Sequence, residues 1–186
     1  MVAKVGPLLT VAHLDACPDD NNRYELIEGE LFVSRAPRLP HQLVLQKLQL
    51  VLGNYLESKR IGKLVPGAGA VFSEYDAVIP DLVFVTDTRW DEVTTNDKFV
   101  GPPDLVIEVL SPGKENRERD LLVKRQLYAK YGVAEYWIID PDNQAVLVYR
   151  LQHQTLEEVA NLAENEYLTS PLFPDFEMKV SAIFSY

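Results

Sequence analysis

Cysteine is nearly absent: Cys17 stands alone among 186 residues. An intrachain disulfide and a multi-cysteine zinc site are both excluded, and one thiol fits a reducing, cytoplasmic setting. Histidine is almost as scarce. His13, His41 and His153 are too far apart for an H-x-x-x-H pair, and no HExxH occurs. Long hydrophobic runs are missing too. No uncharged apolar stretch reaches the ~18 residues of a membrane helix, so no membrane partner is expected. The mildly apolar stretch from Lys4 to Cys17 is interrupted by Pro7, His13 and Asp15 and is too weak for a secretion signal. It reads instead as a short helix capped by Thr10. A G-x-S-x-G serine elbow is lacking. Gly67-Ala68-Gly69 lacks the GK[ST] ending of a phosphate loop, and no small-molecule cofactor is expected.

An excess of positive charge is also missing. The net charge is −10 and the pI about 4.8. That argues against a protein that coats nucleic acid passively. It leaves room for an enzyme that meets phosphates through a metal and a local basic patch. Such a patch exists: residues 114–130 carry six lysines and arginines against three acids, whereas residues 151–186 carry one lysine against six acids.

What remains is ordinary globular composition, 47% hydrophobic and 25% charged, which excludes disorder. With no repeat, linker or low-complexity segment, residues 1–186 read as a single domain, with 1–22 a peripheral lead-in. Residues 24–34 suggest two short strands around Gly29. Pro40 opens a helix whose apolar residues Val44, Leu48, Val51, Leu52 and Tyr55 share one face, and Gly62 ends that segment. Extended runs follow over 63–85, then a polar excursion over 86–103. Asp104–Ser111 is nearly all apolar, as a central strand covered on both faces must be. Residues 116–131 form a helix stopped by Gly132. Glu135–Asp140 and Ala145–Leu151 are strands, a hairpin continues through 154–160, and the tail is extended and broken by prolines. The order predicts an α/β fold with helices around a mixed sheet.

Two carboxylates interrupt this apolar pattern. Glu108 lies inside the central strand on the face of Val106 and Leu110, where an ionised carboxylate is costly unless paired or bound to metal. Asp81 opens another apolar strand after Pro80, a position that also suits a plain turn or edge residue. On the following helix Asp120, Lys124 and Tyr128 recur every fourth residue and share a face. Alone, the Asp120–Lys124 spacing fits an exposed pair worth a few tenths of a kcal/mol. His41 reads as a locally hydrogen-bonded residue, structural ahead of catalytic, and Tyr136 and Trp137 as core or interface aromatics, with base stacking the lesser reading.

Taken together, Pro80-Asp81, Glu108-Val109-Leu110-Ser111-Pro112, Asp120-x-x-x-Lys124, Tyr128 and Gly132-Val133-x-Glu135-Tyr136-Trp137, with Tyr24-Glu25-Leu26-Ile27-x-Gly29-Glu30 upstream, resemble the Uma-type family of putative restriction endonucleases. That family belongs to the PD-(D/E)xK nuclease superfamily. The resemblance spans roughly residues 10–185. It implies a restriction-endonuclease-like fold, a mixed central sheet flanked by helices, and a metal-dependent endonuclease acting on DNA, functioning as a homodimer. Asp81 would be the first acid and Glu108 the second. Where the superfamily carries lysine two residues after that acid, this chain has Leu110, so the resemblance transfers the lysine to Lys124. It implies Mg²⁺ or Mn²⁺ held by Asp81, Glu108 and the Val109 carbonyl, with Glu25 or Asp120 as accessory acids. Lys114, Arg117, Arg119 and Arg125 would then contact DNA. The Leu110 departure and the acidic net charge keep a second reading open, a catalytically inactive nuclease-fold module that binds nucleic acid or protein.

Overall fold

The computed structural model of the protein describes residues 7–95 and 97–185, so the first six residues of the expected lead-in, Lys4 among them, lie outside the described residues. Thr10 caps the helix α1 (Val11–Leu14) and its N–H donates to His13 Nδ1 at 3.0 Å. Two strands follow, β1 (Arg23–Ile27) and β2 (Glu30–Ser34). They are joined by Glu28 and Gly29, both at positive φ, which is the backbone of a tight two-residue hairpin. With β4 (Ala70–Ser73) and β5 (Asp76–Val78) they form a four-stranded antiparallel sheet in the order β2-β1-β5-β4.

The larger sheet has six strands: β3 (Gly62–Pro66), β6 (Leu82–Thr86), β7 (Leu105–Val109), β8 (Glu135–Asp140), β9 (Ala145–Gln152) and β10 (Thr155–Leu162). Their order is β10-β9-β8-β7-β6-β3. Only the β7–β8 pair is parallel, so the sheet is mixed. A parallel pair needs a crossover. Here it is a continuous helical segment made of α4 (Lys114–Glu118), a π-helical stretch (Arg119–Lys124) and α5 (Arg125–Tyr131).

Every residue of β7 is buried, because both faces of the sheet are covered. On one face Leu105, Ile107 and Val109 pack with Phe84 and Trp137 against the long helix α2 (Leu39–Lys59), through Val44, Leu48 and Leu52. On the other, Val106 and Leu110 join Val83, Ile138 and Tyr136 beneath Leu127 and Tyr128 of α5. The crossover helix therefore lies on the Glu108 face. The chain is thus a mixed α/β protein with its central sheet flanked by helices.

Four local expectations need correction. The helix α2 ends at Arg60, which takes the left-handed conformation, and Gly62 starts a strand instead of stopping a helix. The crossover helix starts at Lys114 and is not regularly α-helical. The polar excursion contains the helix α3 (Trp90–Val93). The tail carries the short pair β11 (Tyr167–Leu168) and β12 (Met178–Lys179) and the helix α6 (Ser181–Phe184), each too short for a periodicity argument. Among the described residues no helix is long and apolar enough to cross a membrane.

Gly62 is fixed by a close approach. A Cβ there would sit 2.4 Å from the Val85 carbonyl oxygen and 2.5 Å from the Phe84 ring. The carbonyl belongs to a paired strand and cannot swing aside. Gly62→Ala is expected to lower unfolding free energy by about 1–3 kcal/mol in urea denaturation, whereas Gly53→Ala, with open space around it, does not destabilise.

Candidate active site

Three elements meet at one end of the large sheet. The strand β7 presents Glu108 on its crossover-helix face, as the alternation of strand side chains requires. The Pro80-Asp81 segment leads into β6 beside it, and the Asp81 N–H donates to Glu108 Oε2 at 3.3 Å. The π-helical stretch brings Lys124 to the same point: its Nζ donates to Glu108 Oε1 at 2.9 Å. Tyr128, one turn on, donates its hydroxyl to the same oxygen at 2.8 Å. A π-turn changes the phase of a helix, and such turns recur at functional sites.

The small sheet completes the cluster. Of the three acids near Gly29, Glu25 is the one that faces inward: its Oε1 lies 2.9 Å from Lys124 Nζ and accepts the Ile79 N–H at 2.8 Å. Glu28 and Glu30 are exposed. Asp120 is buried and accepts from Arg119 Nε at 3.1 Å. Asp81 is gripped from three sides. Arg23 Nη1 donates to Oδ1 at 2.9 Å, and His41 Nε2 and the Val109 N–H each reach Oδ2 at 2.9 Å. Above these groups opens a cleft of about 460 Å³, lined by the cluster, by the β2–α2 connection and by Ser111 and Pro112.

Charge in this pocket is not evenly shared. Burial raises the Glu108 carboxyl; Lys124 opposes that, but Asp81, Asp120 and Glu25 add to it, and the group ends well above the ordinary carboxyl range. For Asp81 burial also raises, yet the hydrogen bond and electrostatic pull of His41, with the Val109 amide and Arg23, outweigh it and hold the group below its ordinary value. Burial raises Asp120, with Lys124 and Arg119 offsetting only part of that effect. Burial alone would lower Lys124, but Glu108, Glu25 and Asp120 raise it, so its ammonium stays charged.

The expected DNA-contacting residues scatter. Arg119 lines the cleft. Arg117 does not contact it: its guanidinium is spent on Asp140, at 2.6 and 3.2 Å. Arg125 lies 5.1 Å from the Tyr149 ring and borders a separate hollow. Lys114 is 86% exposed beside Glu118. They lie close in sequence, but a helical segment presents its charges around its whole circumference. Two participants carried no signal readable from sequence alone: Arg23 and His41 lie 58 and 40 residues from Asp81. His41, which reads as a local structural residue, is instead the partner of Asp81.

The donor set fits a hard divalent cation in kind. Carboxylate and carbonyl oxygens are what Mg²⁺ and Mn²⁺ prefer, and the Glu108 carboxyl, raised by burial and by nearby acids despite Lys124, is a group whose charged form an added cation would favour. Among the described residues, however, no three acids or histidines form a ready-made metal cage. Arg23, His41 and Lys124 sit on the oxygens, so a metal would have to share or displace them.

Comparison with known proteins agrees with this architecture. The Uma2 family model, described as a putative restriction endonuclease, matches residues 11–181. A crystal structure of a putative nuclease belonging to DUF820 from Anabaena variabilis ATCC 29413 superposes with a TM-score of 0.76 at 22% sequence identity, covering 95% of this chain and 97% of that one. This likeness extends to the fold. No curated protein matches the chain significantly.

The raised Glu108 carboxyl has a measurable consequence. Between its ordinary value of 4.5 and its higher folded value, the folded chain holds a proton there that the unfolded chain has released. Stability therefore falls as pH rises through that window. In urea denaturation without metal, Glu108→Gln is expected to gain on the wild type as pH rises from about 5 towards about 8, by up to about 1.4 kcal/mol per pH unit. A difference independent of pH would contradict this assignment.

Proposed function

The chain belongs to the Uma2 family, and we propose that it is a divalent-metal-dependent endonuclease that hydrolyses DNA phosphodiester bonds. One observation carries the proposal. Lys124, supplied by the crossover helix and not by the strand position held by Leu110, has its ammonium 2.9 Å from Glu108 Oε1 while Asp81 lies on the other side of that carboxylate. Two acids and a lysine from three elements converge at the floor of an open cleft. A lysine left pointing into solvent would have favoured a remnant site.

Asp81, Glu108 and the Val109 carbonyl would hold Mg²⁺ or Mn²⁺, which when bound supplies an acidified water and neutralises phosphate charge. The chain's own residues do the rest. Tyr128 and Lys124 fix the Glu108 carboxylate in place. Arg23, His41 and the Val109 amide keep Asp81 ionised. Lys124, held charged by its acidic neighbours, stabilises negative charge developing on the phosphate. Cutting both strands of a duplex takes two such sites, one from each copy in a homodimer, in a cytoplasmic setting where Cys17 stays reduced.

A second reading, an inactive nuclease-fold module, is favoured by one feature: cationic side chains already engage both carboxylates. Metal titration separates the two. Calorimetry with Mn²⁺ is expected to show one site per chain in the wild type, lost in both Asp81→Ala and Glu108→Ala. Lys124→Ala is then expected to cut the rate on plasmid DNA by about 10²–10³-fold. Absence of Mn²⁺ binding in the wild type, together with no cleavage by any variant, would support the inactive module.

A further inference from the structure

The basic helix gives the cleft two cations, Arg119 and Lys124, both already paired with acids; the unpaired ones come from the connection between β2 and α2. Five arginine and lysine side chains against four carboxylates line this cleft, in a chain whose net charge is −10. Three of the five are committed at its floor: Arg23 to Asp81, Arg119 to Asp120, and Lys124 to Glu108 and Glu25. The other two, Arg35 and Arg38, are exposed, and no acidic side chain among the described residues pairs with either.

Their backbone adds to the effect. Arg38 is the N-cap of the 21-residue helix α2, whose first turn holds no acid and has proline next to its start. The positive end of the helix dipole therefore lies beside the cleft that Arg38 and His41 line. His41, in that first turn, points its Nε2 at Asp81. One short connection thus runs from the reactive acids to the mouth of the cleft. It carries two free guanidiniums, which match phosphate geometry better than lysine does.

We infer that Arg35 and Arg38 bind the backbone phosphates of the nucleic acid flanking the scissile bond and set it over Asp81 and Glu108. This rests on the nuclease reading above and names the residues that hold its substrate. Both are positioning residues. Arg117 and Arg125 are not part of this track, since Asp140 already engages Arg117 and Arg125 borders a separate hollow.

The test is anisotropy of a short, mixed-sequence, fluorescein-labelled DNA duplex with full-length protein in EDTA, titrated from about 50 to about 200 mM NaCl. A phosphate contact contributes about 0.9 to the slope of log affinity against log salt on duplex DNA. Arg35→Ala/Arg38→Ala is expected to reduce that slope by about 2 and weaken binding most at low salt. Arg35→Lys/Arg38→Lys retains the charge and should keep most of the slope. Arg125→Ala should leave it unchanged. The Mn²⁺ heat of the alanine pair should match the wild type, because neither residue touches the acids. A slope unaltered in the alanine pair overturns the inference even where the Mn²⁺ site stands. So does failure of the wild type to bind the duplex at all. Loss of the Mn²⁺ site with an intact arginine effect on the slope would instead overturn the nuclease reading and leave the phosphate track in place.

Discussion

One buried ammonium ties the two sheets together. Lys124 reaches Glu25 on the small sheet and Glu108 on the large one, each at 2.9 Å, from a helix that belongs to neither. All three side chains are almost wholly excluded from water. Charge in such a place is tolerable only when paired and hydrogen-bonded, and removing one partner from a buried pair typically costs about 3–5 kcal/mol. The hairpin of β1 and β2, the central strand β7 and the π-helical stretch therefore depend on one another for more than apolar contact. The hydroxyl of Tyr128 and the N–H of Ile79 satisfy remaining lone pairs of the two carboxylates.

A core selected for stability alone would not be built this way. Well-packed apolar residues of similar volume commonly match or exceed a buried ion pair, and the surrounding strands already carry valine, isoleucine and leucine. The cluster also holds acids in excess, since Glu25, Glu108 and Asp120 crowd around Lys124 and Arg119. Groups displaced from their ordinary ionisation by burial and by like charge concentrate at functional sites. Here the displaced group lies at the floor of an open cleft, where a cation or a phosphate can reach it.

Much of this was legible in sequence because it is local. An all-apolar strand interrupted by one glutamate, read with alternating faces, puts Glu108 beside Val106 and Leu110. Fourfold spacing puts Asp120, Lys124 and Tyr128 on one side of a helix. Both patterns survive into the structure despite the π-turn. The partners of Asp81 were not legible. Nothing in the neighbourhood of Arg23 or His41 says that they converge on a carboxylate contributed by another part of the chain, because that depends on how the hairpin and α2 dock. Likewise Glu25, Glu28 and Glu30 are equivalent by spacing until the hairpin's turn is known. Charge runs misled in the opposite direction. The basic segment 114–130 reads as a local basic patch, yet Arg117 turns to Asp140 and Arg125 to Tyr149, while two arginines outside the run stand free at the cleft.

The two acids are tuned apart, and that division bears on how such a site would work. Asp81 is held ionised by three donors before any other cation arrives, so its charge and orientation are preset. Glu108 is the acid whose protonation opposes a cation, because burial, with the acids around it, disfavours its charged form. Environments that push two carboxyl groups in opposite directions assign them different roles. On the proposed reading Asp81 is a permanent anchor, whereas Glu108 accepts a metal only by giving up a proton. Affinity for the metal would then rise with pH through the titration of Glu108, and Lys124, charged throughout, would remain in place to meet the phosphate.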